Sequence, residues 1–161
     1  GALRGTAYHR LLELLDFTKE YDYTSLKETI DEFIKCQKMD EKMGSCIRIK
    51  DILGFLESSS GKRMKECAAK GTLFKEQPFV LGLEQEEELI LVQGIIDVYF
   101  EEDDGLVVLD YKTDKVWEAK DLIEKYHAQL EYYAKALEQL TQKKVKEKII
   151  YSFTLKEEIF L

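Results

Sequence analysis

Apolar residues recur at intervals of three and four positions through the first part of the chain, as expected for helices with one buried face. The stripes of the first two predicted helices are formed by Leu11, Leu12, Leu14, Leu15, Leu26, Ile30, Phe33 and Ile34. Ser25 followed by Glu28 predicts a capping box at the start of the second helix. A third helix is predicted over about residues 45–57, with a break at 58–61, and a short fourth helix ends near Gly71.

The pattern changes at Leu73, where β-branched and aromatic residues become frequent. Three strands are predicted over residues 72–81, 88–100 and 106–113. The single proline, Pro78, restricts the first of them to the edge of a sheet or to a strand end. A helix over about 118–140 and a final strand over 145–155 follow. This order predicts an α/β domain, in which a mixed central sheet is flanked by helices and preceded by a helical region.

Size and charge limit the function classes. A chain of 161 residues is the size of one domain, so we expect a single domain with a helical part at 1–71 and a sheet-containing core at 72–161. The 32 acidic and 24 basic residues give a net charge of -8. That sign argues against a stand-alone module that holds nucleic acid by general electrostatics. It remains compatible with an enzyme that collects carboxylates around divalent cations.

The cysteines and the apolar runs limit the metal sites and the cellular location that we expect. Cys36, Cys46 and Cys67 show no CxxC spacing, so we expect neither a zinc site nor an iron–sulfur cluster. No apolar run approaches the roughly 20 residues that span a bilayer, and no signal peptide is evident, so we expect a cytoplasmic protein. The segment 1–4 lacks a Met and leads straight into a helix-like pattern, as in a fragment of a larger polypeptide.

Three charged residues fall within the two strands that flank the Asp-Asp-Gly run at 103–105. A two-residue turn at Asp104–Gly105 sets Asp97 across from Lys112 and leaves Asp110 one diagonal step away. A turn one residue earlier sets Asp97 opposite Asp110 instead. Because side chains alternate between the faces of a strand, all three lie on one face in either register. Only a three-residue turn separates them.

The residues alone allow two interpretations of this cluster. In one, an Asp–Lys ion pair lies on a solvated face of the hairpin. In the other, the carboxylates hold Mg²⁺ or Mn²⁺ for work on a phosphate, and Lys112 orients water or stabilises the charge that develops there. The neighbouring strand residues are apolar, and buried charges are costly unless they are paired or bound to metal.

Five short motifs stand in order along the chain. They are Gly5-Thr6-Ala7-Tyr8-His9, Lys75-Glu76-Gln77-Pro78-Phe79, Gln93-Gly94-Ile95-Ile96-Asp97, Leu109-Asp110-Tyr111-Lys112-Thr113-Asp114 and Gln129-Leu130-Glu131-Tyr132-Tyr133. This ordered set resembles the RecB-like nucleases of the PD-(D/E)xK group. Within that group, its style is most similar to the C-terminal nuclease domain of the AddA-type subunits of bacterial helicase-nucleases. The resemblance implies a restriction-endonuclease-like core around the predicted sheet.

The resemblance also implies a role for each matched polar residue. It assigns catalysis to Asp97, Asp110 and Lys112, metal binding to His9, Asp97, Asp110 and the main-chain carbonyl of Tyr111, and DNA binding or support to Glu76, Gln129 and Tyr133. From the residue pattern alone, His9 on an amphipathic helix is more often structural. Glu76 is equally well explained as an ordinary exposed strand residue.

As an activity, the resemblance implies a metal-dependent deoxyribonuclease that hydrolyses phosphodiester bonds of single-stranded DNA during double-strand break repair and recombination. The expected cofactor is Mg²⁺, with Mn²⁺ as an alternative, and no iron–sulfur cluster. The expected partners are single-stranded DNA, helicase domains of the same polypeptide and a second helicase-nuclease subunit in the bacterial cytoplasm. The alternative is a catalytically silent DNA-end-binding or protein-interaction domain with the same fold.

Overall fold

Five strands form one mixed sheet whose spatial order follows the chain, β1-β2-β3-β4-β5. The computed structural model describes all residues from Gly1 to Leu161. The strands are β1 (Leu73–Gln85), β2 (Glu88–Glu102), β3 (Gly105–Lys112), β4 (Val145–Ser152) and β5 (Glu157–Phe160). β1 and β2, β2 and β3, and β4 and β5 pair antiparallel, whereas β3 and β4 run parallel. The predicted α/β class with a mixed sheet is confirmed.

Five helices precede the sheet in sequence and cover one of its faces. They are α1 (Ala2–Leu14), α2 (Tyr23–Lys35), α3 (Glu41–Cys46), α4 (Ile49–Glu57) and α5 (Ser59–Lys70). Their apolar stripes meet the sheet residues Val98, Phe100, Val107, Leu109, Tyr111, Ile149 and Tyr151 in one buried cluster. Each large aliphatic side chain buried there contributes about 1.5–3 kcal/mol, so this cluster anchors α1 against β3.

The sixth helix, α6 (Ala119–Thr141), connects the parallel strands β3 and β4 and covers the opposite face. Such a crossover is required because a tight turn cannot join parallel neighbours. Leu122, Leu130 and Leu137 of α6 pack on the sheet in a second buried cluster. The end of β3 is therefore enclosed between α1 on one face and α6 on the other.

The helical region differs from its predictions at three points. Asp22 caps α2, and Ser25 is the third helical residue of the capping box instead of its cap. The helix predicted at 45–57 is interrupted at Ile47, so that α3 and α4 are separate. The break predicted at 58–61 is confined to Ser58, which ends α4 and caps α5, and the end of α5 at Gly71 (φ 75°) is as predicted.

The strand region also differs in its details. The hairpin between β2 and β3 turns at Asp103–Asp104, since Glu102 pairs with Gly105. This is the earlier of the two turns considered, the one whose register sets Asp97 opposite Asp110. The segment predicted as one final strand at 145–155 ends at Ser152, and the unpredicted β5 pairs back on it. β1 is an edge strand, as Pro78 predicts.

The outer half of the β1–β2 hairpin projects beyond both buried clusters. Its exposed aliphatic side chains on one face are Val80, Leu89, Leu91 and Ile95. None of the six helices combines the length and the apolar character that a membrane crossing needs.

Candidate active site and metal centre

The pairing of β2 with β3 ends just before the two aspartates that the sequence singled out. The ladder runs from Glu102–Gly105 to Val98–Leu109 and stops there. Beyond it, Oδ2 of Asp97 accepts a hydrogen bond of 3.0 Å from the main-chain N–H of Tyr111. The Asp97 carboxylate thus takes the place of a main-chain acceptor, and the two strands open around it.

Asp110 is the most deeply buried charged residue of the chain, with 1% of its surface exposed. Its Oδ2 atom is 2.7 Å from the ammonium nitrogen of Lys112, which lies on the same face two residues later. Oδ2 has no hydrogen-bond donor beyond this ion pair with Lys112. An oxygen in this position is suited to bind a cation.

Two residues of α6 hold the Lys112 ammonium group. It donates a hydrogen bond of 3.1 Å to Oε1 of Gln129 and lies 3.9 Å from the centre of the Tyr126 ring. Gln129 and Tyr126 are three residues apart, so they occupy one helix face. The helix that crosses between β3 and β4 therefore fixes the direction in which Lys112 points.

His9 reaches the aspartates from the opposite side of the sheet end. Its Nδ1 lies 3.4 Å from Oδ1 of Asp97, and its Nε2 lies 2.9 Å from the carbonyl oxygen of Tyr111. One helical turn earlier, a Cβ on Gly5 would lie only 3.0 Å from Oγ1 of Thr113. The missing side chain lets α1 lie close to the residue that follows β3, which brings His9 to the site.

The electrostatics of the cluster favour an added positive charge. Burial, and secondarily the charge of Asp110, raise the pKa of Asp97 far above its usual range. One ammonium group faces two buried carboxyl groups, so the cluster has an excess of negative charge whenever both are ionised. A bound proton or a divalent cation relieves that repulsion.

The donor set fits a divalent cation when the main chain is included. Two carboxylates, one imidazole and the Tyr111 carbonyl are ligand types that Mg²⁺ or Mn²⁺ accepts. The side chains do not form a site alone, because no group of three or more His, Cys, Asp and Glu side chains is arranged as a closed metal site. The Tyr111 carbonyl, 2.9 Å from Nε2 of His9, would add a main-chain oxygen to the set.

The remaining predicted site residues, Glu76, Tyr133 and Gln129, differ in their contacts with this centre. Glu76 has a φ of 50° and interrupts the β1–β2 ladder at the level of Asp97. Burial, followed by the nearby Glu13, raises the pKa of the Glu76 carboxyl. Tyr133 is buried, packs edge-on against Phe79 and has its pKa raised by burial and then by Asp110. Only Gln129 of these predicted supporting residues contacts Lys112 directly.

Tyr126 was missed as a site residue by the sequence analysis. Its ring faces Lys112, and its hydroxyl donates a hydrogen bond of 2.8 Å to Asp114, the last residue of the fourth motif. The available signal was its position three residues before Gln129. A tyrosine in an apolar helix stripe does not by itself distinguish a core residue from one that holds a lysine.

Comparison with known proteins identifies the class of this fold and site. The chain matches the PD-(D/E)XK nuclease superfamily over residues 2–159 and belongs to that superfamily. It is similar to an ATP-dependent helicase/nuclease subunit of Lachnoclostridium phytofermentans, with 36% identity over 99% of this chain and 15% of the relative. Two further relatives carry the same name. The one from a Thermoanaerobacter species is 41% identical and the one from Anoxybacillus flavithermus is 35% identical, each over 94% of this chain and 13% of the relative.

These relatives confirm the predicted resemblance to the AddA-type subunits of helicase-nucleases. The chain spans only 13% to 15% of the length of these three relatives. It is thus a nuclease-superfamily domain homologous to one part of an AddA-type polypeptide.

Proposed function

We propose that this domain hydrolyses phosphodiester bonds of single-stranded DNA with the help of Mg²⁺, for which Mn²⁺ can substitute. Members of the superfamily generally use divalent metal ions. The observation that carries the proposal is the arrangement of Asp97, Asp110 and Lys112. Two buried carboxyl groups and one oriented ammonium group share the opened end of β2 and β3.

Each group has a distinct task in this proposal. Asp97, Asp110, the Tyr111 carbonyl and His9 hold the cation. When bound, a divalent cation polarises the scissile phosphate and lowers the pKa of a coordinated water. Lys112 donates a hydrogen bond to an oxygen that gains negative charge during the reaction. Gln129 keeps the Lys112 ammonium at that position. Glu76 and Tyr133 lie beside the DNA strand that enters the site.

The larger protein supplies the setting of the reaction. We propose that helicase domains of the same polypeptide deliver the strand, together with a second helicase-nuclease subunit, during double-strand break repair and recombination in the bacterial cytoplasm. Delivery by a motor explains how a domain with a net charge of -8 acts on a polyanion. The relatives reported above, which are named helicase/nuclease, support this setting.

The test compares labelled single-stranded DNA with a blunt duplex of the same sequence, each incubated with the domain and Mg²⁺, Mn²⁺ or EDTA. We expect cleavage of the single strand with either metal, slower cleavage of the duplex and none with EDTA. Equal cleavage in EDTA would contradict the metal requirement. Preferential cleavage of the duplex would contradict the proposed substrate.

A further inference from the structure

Trp117 is the most exposed large apolar side chain of the molecule, with 97% of its surface accessible. It is also the only tryptophan of the chain. It lies in the segment between the end of β3 at Lys112 and the start of α6 at Ala119. A fully exposed indole makes no contribution to the core, so its ring is free to contact another molecule.

Trp117 borders a groove of about 780 Å³. The positively charged side chains that line the groove are Arg4, Arg48, Lys115 and Lys156. Asp51 is the one acidic residue of the lining, and it is already engaged by the hydroxyl of Tyr8 at 2.7 Å and by Arg4 at 3.4 Å. The groove is therefore positive in a chain whose net charge is -8.

Three of these cations have no acidic partner. Arg48, Lys115 and Lys156 are exposed and take part in none of the ion pairs of the structure. Elsewhere on the surface, exposed lysines close to the same segment are paired, as in Lys125 with Asp114 and Lys120 with Glu124. Unpaired cations collected in one groove provide the charge complementarity that a polyanion needs.

The groove shares no lining residue with the candidate active site, but it adjoins the segment that leaves the site at the end of β3. Lys115 follows Lys112 by three residues, which limits the distance between their Cα atoms to about 10 Å. Arg4 donates a hydrogen bond of 3.4 Å to the carbonyl of Thr113, and it lies on α1 about one and a half turns before His9. A strand whose phosphate lies at Asp97 and Asp110 can therefore extend into this groove.

We propose that the groove binds single-stranded DNA, with phosphates on Arg48, Lys115 and Lys156 and one unpaired base stacked on Trp117. The inference rests on the proposed nuclease function and names where its strand lies. Stacking on an exposed ring requires a base that is not already stacked within a duplex, so the site selects single strands. The positive charges that line the groove outnumber its one acidic residue, which favours a polyanion over an uncharged protein surface.

The intrinsic fluorescence of Trp117 provides the first test, because no other tryptophan contributes to the signal. The chain is titrated with a short oligothymidylate in EDTA, so that binding is measured without cleavage. We expect saturable quenching by the single strand and little quenching by a blunt duplex at equal nucleotide concentration. Equal quenching by both, or none by either while binding is seen by anisotropy, overturns the proposal.

Variants provide the second test, read by the anisotropy of a labelled oligothymidylate. Trp117→Ala should weaken binding by about 5- to 150-fold, as expected for loss of one base–aromatic stack, and Trp117→Phe should restore most of it. The triple variant of Arg48, Lys115 and Lys156 to Ala should reduce the slope of log K against log salt by about 2. The control is Lys62→Ala, because Lys62 is an exposed lysine of α5 outside the groove. This variant should leave the binding affinity and its salt dependence unchanged.

The outcomes separate this proposal from the proposed function. Metal-dependent cleavage by the wild type, together with wild-type binding by Trp117→Ala and the triple variant, overturns the groove while the nuclease stands. A wild type that binds the oligothymidylate through Trp117 but cuts no DNA supports the groove and contradicts the nuclease. Unchanged DNA binding combined with self-association that Trp117→Ala abolishes assigns Trp117 to a protein contact and overturns the proposal.

Discussion

The ammonium nitrogen of Lys112 lies 2.7 Å from Oδ2 of Asp110, two residues earlier on the same strand. Both side chains leave β3 on one face, where β2 has separated from it. The lysine is also held from α6, by Gln129 and by the Tyr126 ring. Its place in the site therefore depends on a helix that follows it in the chain, and this dependence can be tested.

Replacing Tyr126 should lower the rate without removing any ligand or proposed catalytic group. Tyr126→Leu removes the ring under the Lys112 ammonium, an interaction worth about 0.5–2 kcal/mol, so we expect kcat to fall by about 2- to 30-fold with little change in KM. Tyr126→Phe keeps the ring and loses only the hydrogen bond to Asp114, so it should restore most of the rate. Equal losses in both variants would show that the ring does not position Lys112.

His9 should contribute to metal affinity more than to the fold, because its side chain is 36% exposed. We expect His9→Ala to raise the Mg²⁺ or Mn²⁺ concentration needed for half-maximal cleavage, on the order of 10- to 100-fold. Excess metal should restore part of the rate. The matched control is His127→Ala, an exposed histidine on α6. An unchanged metal requirement in His9→Ala would remove His9 from the ligand set.

Two helical glycines should respond to alanine in opposite directions. A Cβ on Gly61 would lie 2.2 Å from the carbonyl oxygen of Phe55, so Gly61→Ala should destabilise the fold by about 1–3 kcal/mol. Gly54 has open space around it within α4, so Gly54→Ala should stabilise by up to about 1 kcal/mol. Urea unfolding measures both changes. Equal effects of the two variants would contradict the close approach at Gly61.

The acid stability of the fold should depend on Arg63. Its guanidinium group hydrogen-bonds Glu102 and, with a smaller contribution from Lys146, lowers the pKa of that carboxyl from 4.5 to about 2. A carboxyl group whose pKa is lowered in the folded state stabilises the fold at every pH above its pKa in the unfolded chain. This stabilisation is lost as the pH falls from the unfolded pKa to the folded pKa, here from about 4.5 to about 2. The contribution is at most about 3 kcal/mol at neutral pH.

The measurement is the free energy of unfolding of the wild type and Arg63→Met across this pH range. We expect a difference of up to about 3 kcal/mol at pH 7 that shrinks as the pH falls below 4.5. Glu20→Ala, at a side chain that is 87% exposed, should have little effect at any pH. A difference between wild type and Arg63→Met that is constant with pH would contradict the assigned cause.

The long elements were predictable from the sequence because their periodicities are long and uninterrupted. α6 and the three strands before it lie close to their predicted bounds. Both hairpin turns considered place Asp97 and Asp110 on the same face of the sheet, so that prediction did not depend on the choice of turn. The sequence did not decide between the two hairpin turns, because Asp-Gly propensity is a local signal. The observed register pairs Val98 with Leu109 and Phe100 with Val107, and a shift of two residues would leave the same side chains on the same faces, so the hydrophobic pattern does not distinguish the two turns.

The other differences arise from contacts between residues distant in sequence. β5 forms only because the turn after Ser152 folds it back on β4, and its four residues carry no strong strand pattern. The placement of His9 beside Asp97 depends on the close approach of Gly5 to Thr113, which joins α1 to the segment that follows β3. No spacing rule along the chain encodes it; the motif resemblance alone suggested His9.

The central claim is that Asp97, Asp110 and Lys112 form one metal-dependent nuclease centre. The most direct test measures cleavage of labelled single-stranded DNA and the metal-induced rise in melting temperature for the wild type, Asp110→Asn and Lys112→Ala. We predict cleavage in the wild type and a loss of at least about 100-fold in both variants. The metal-induced rise should be absent in Asp110→Asn and retained in Lys112→Ala. Wild-type cleavage by either folded variant, or a rise that Asp110→Asn retains in full, would contradict the claim.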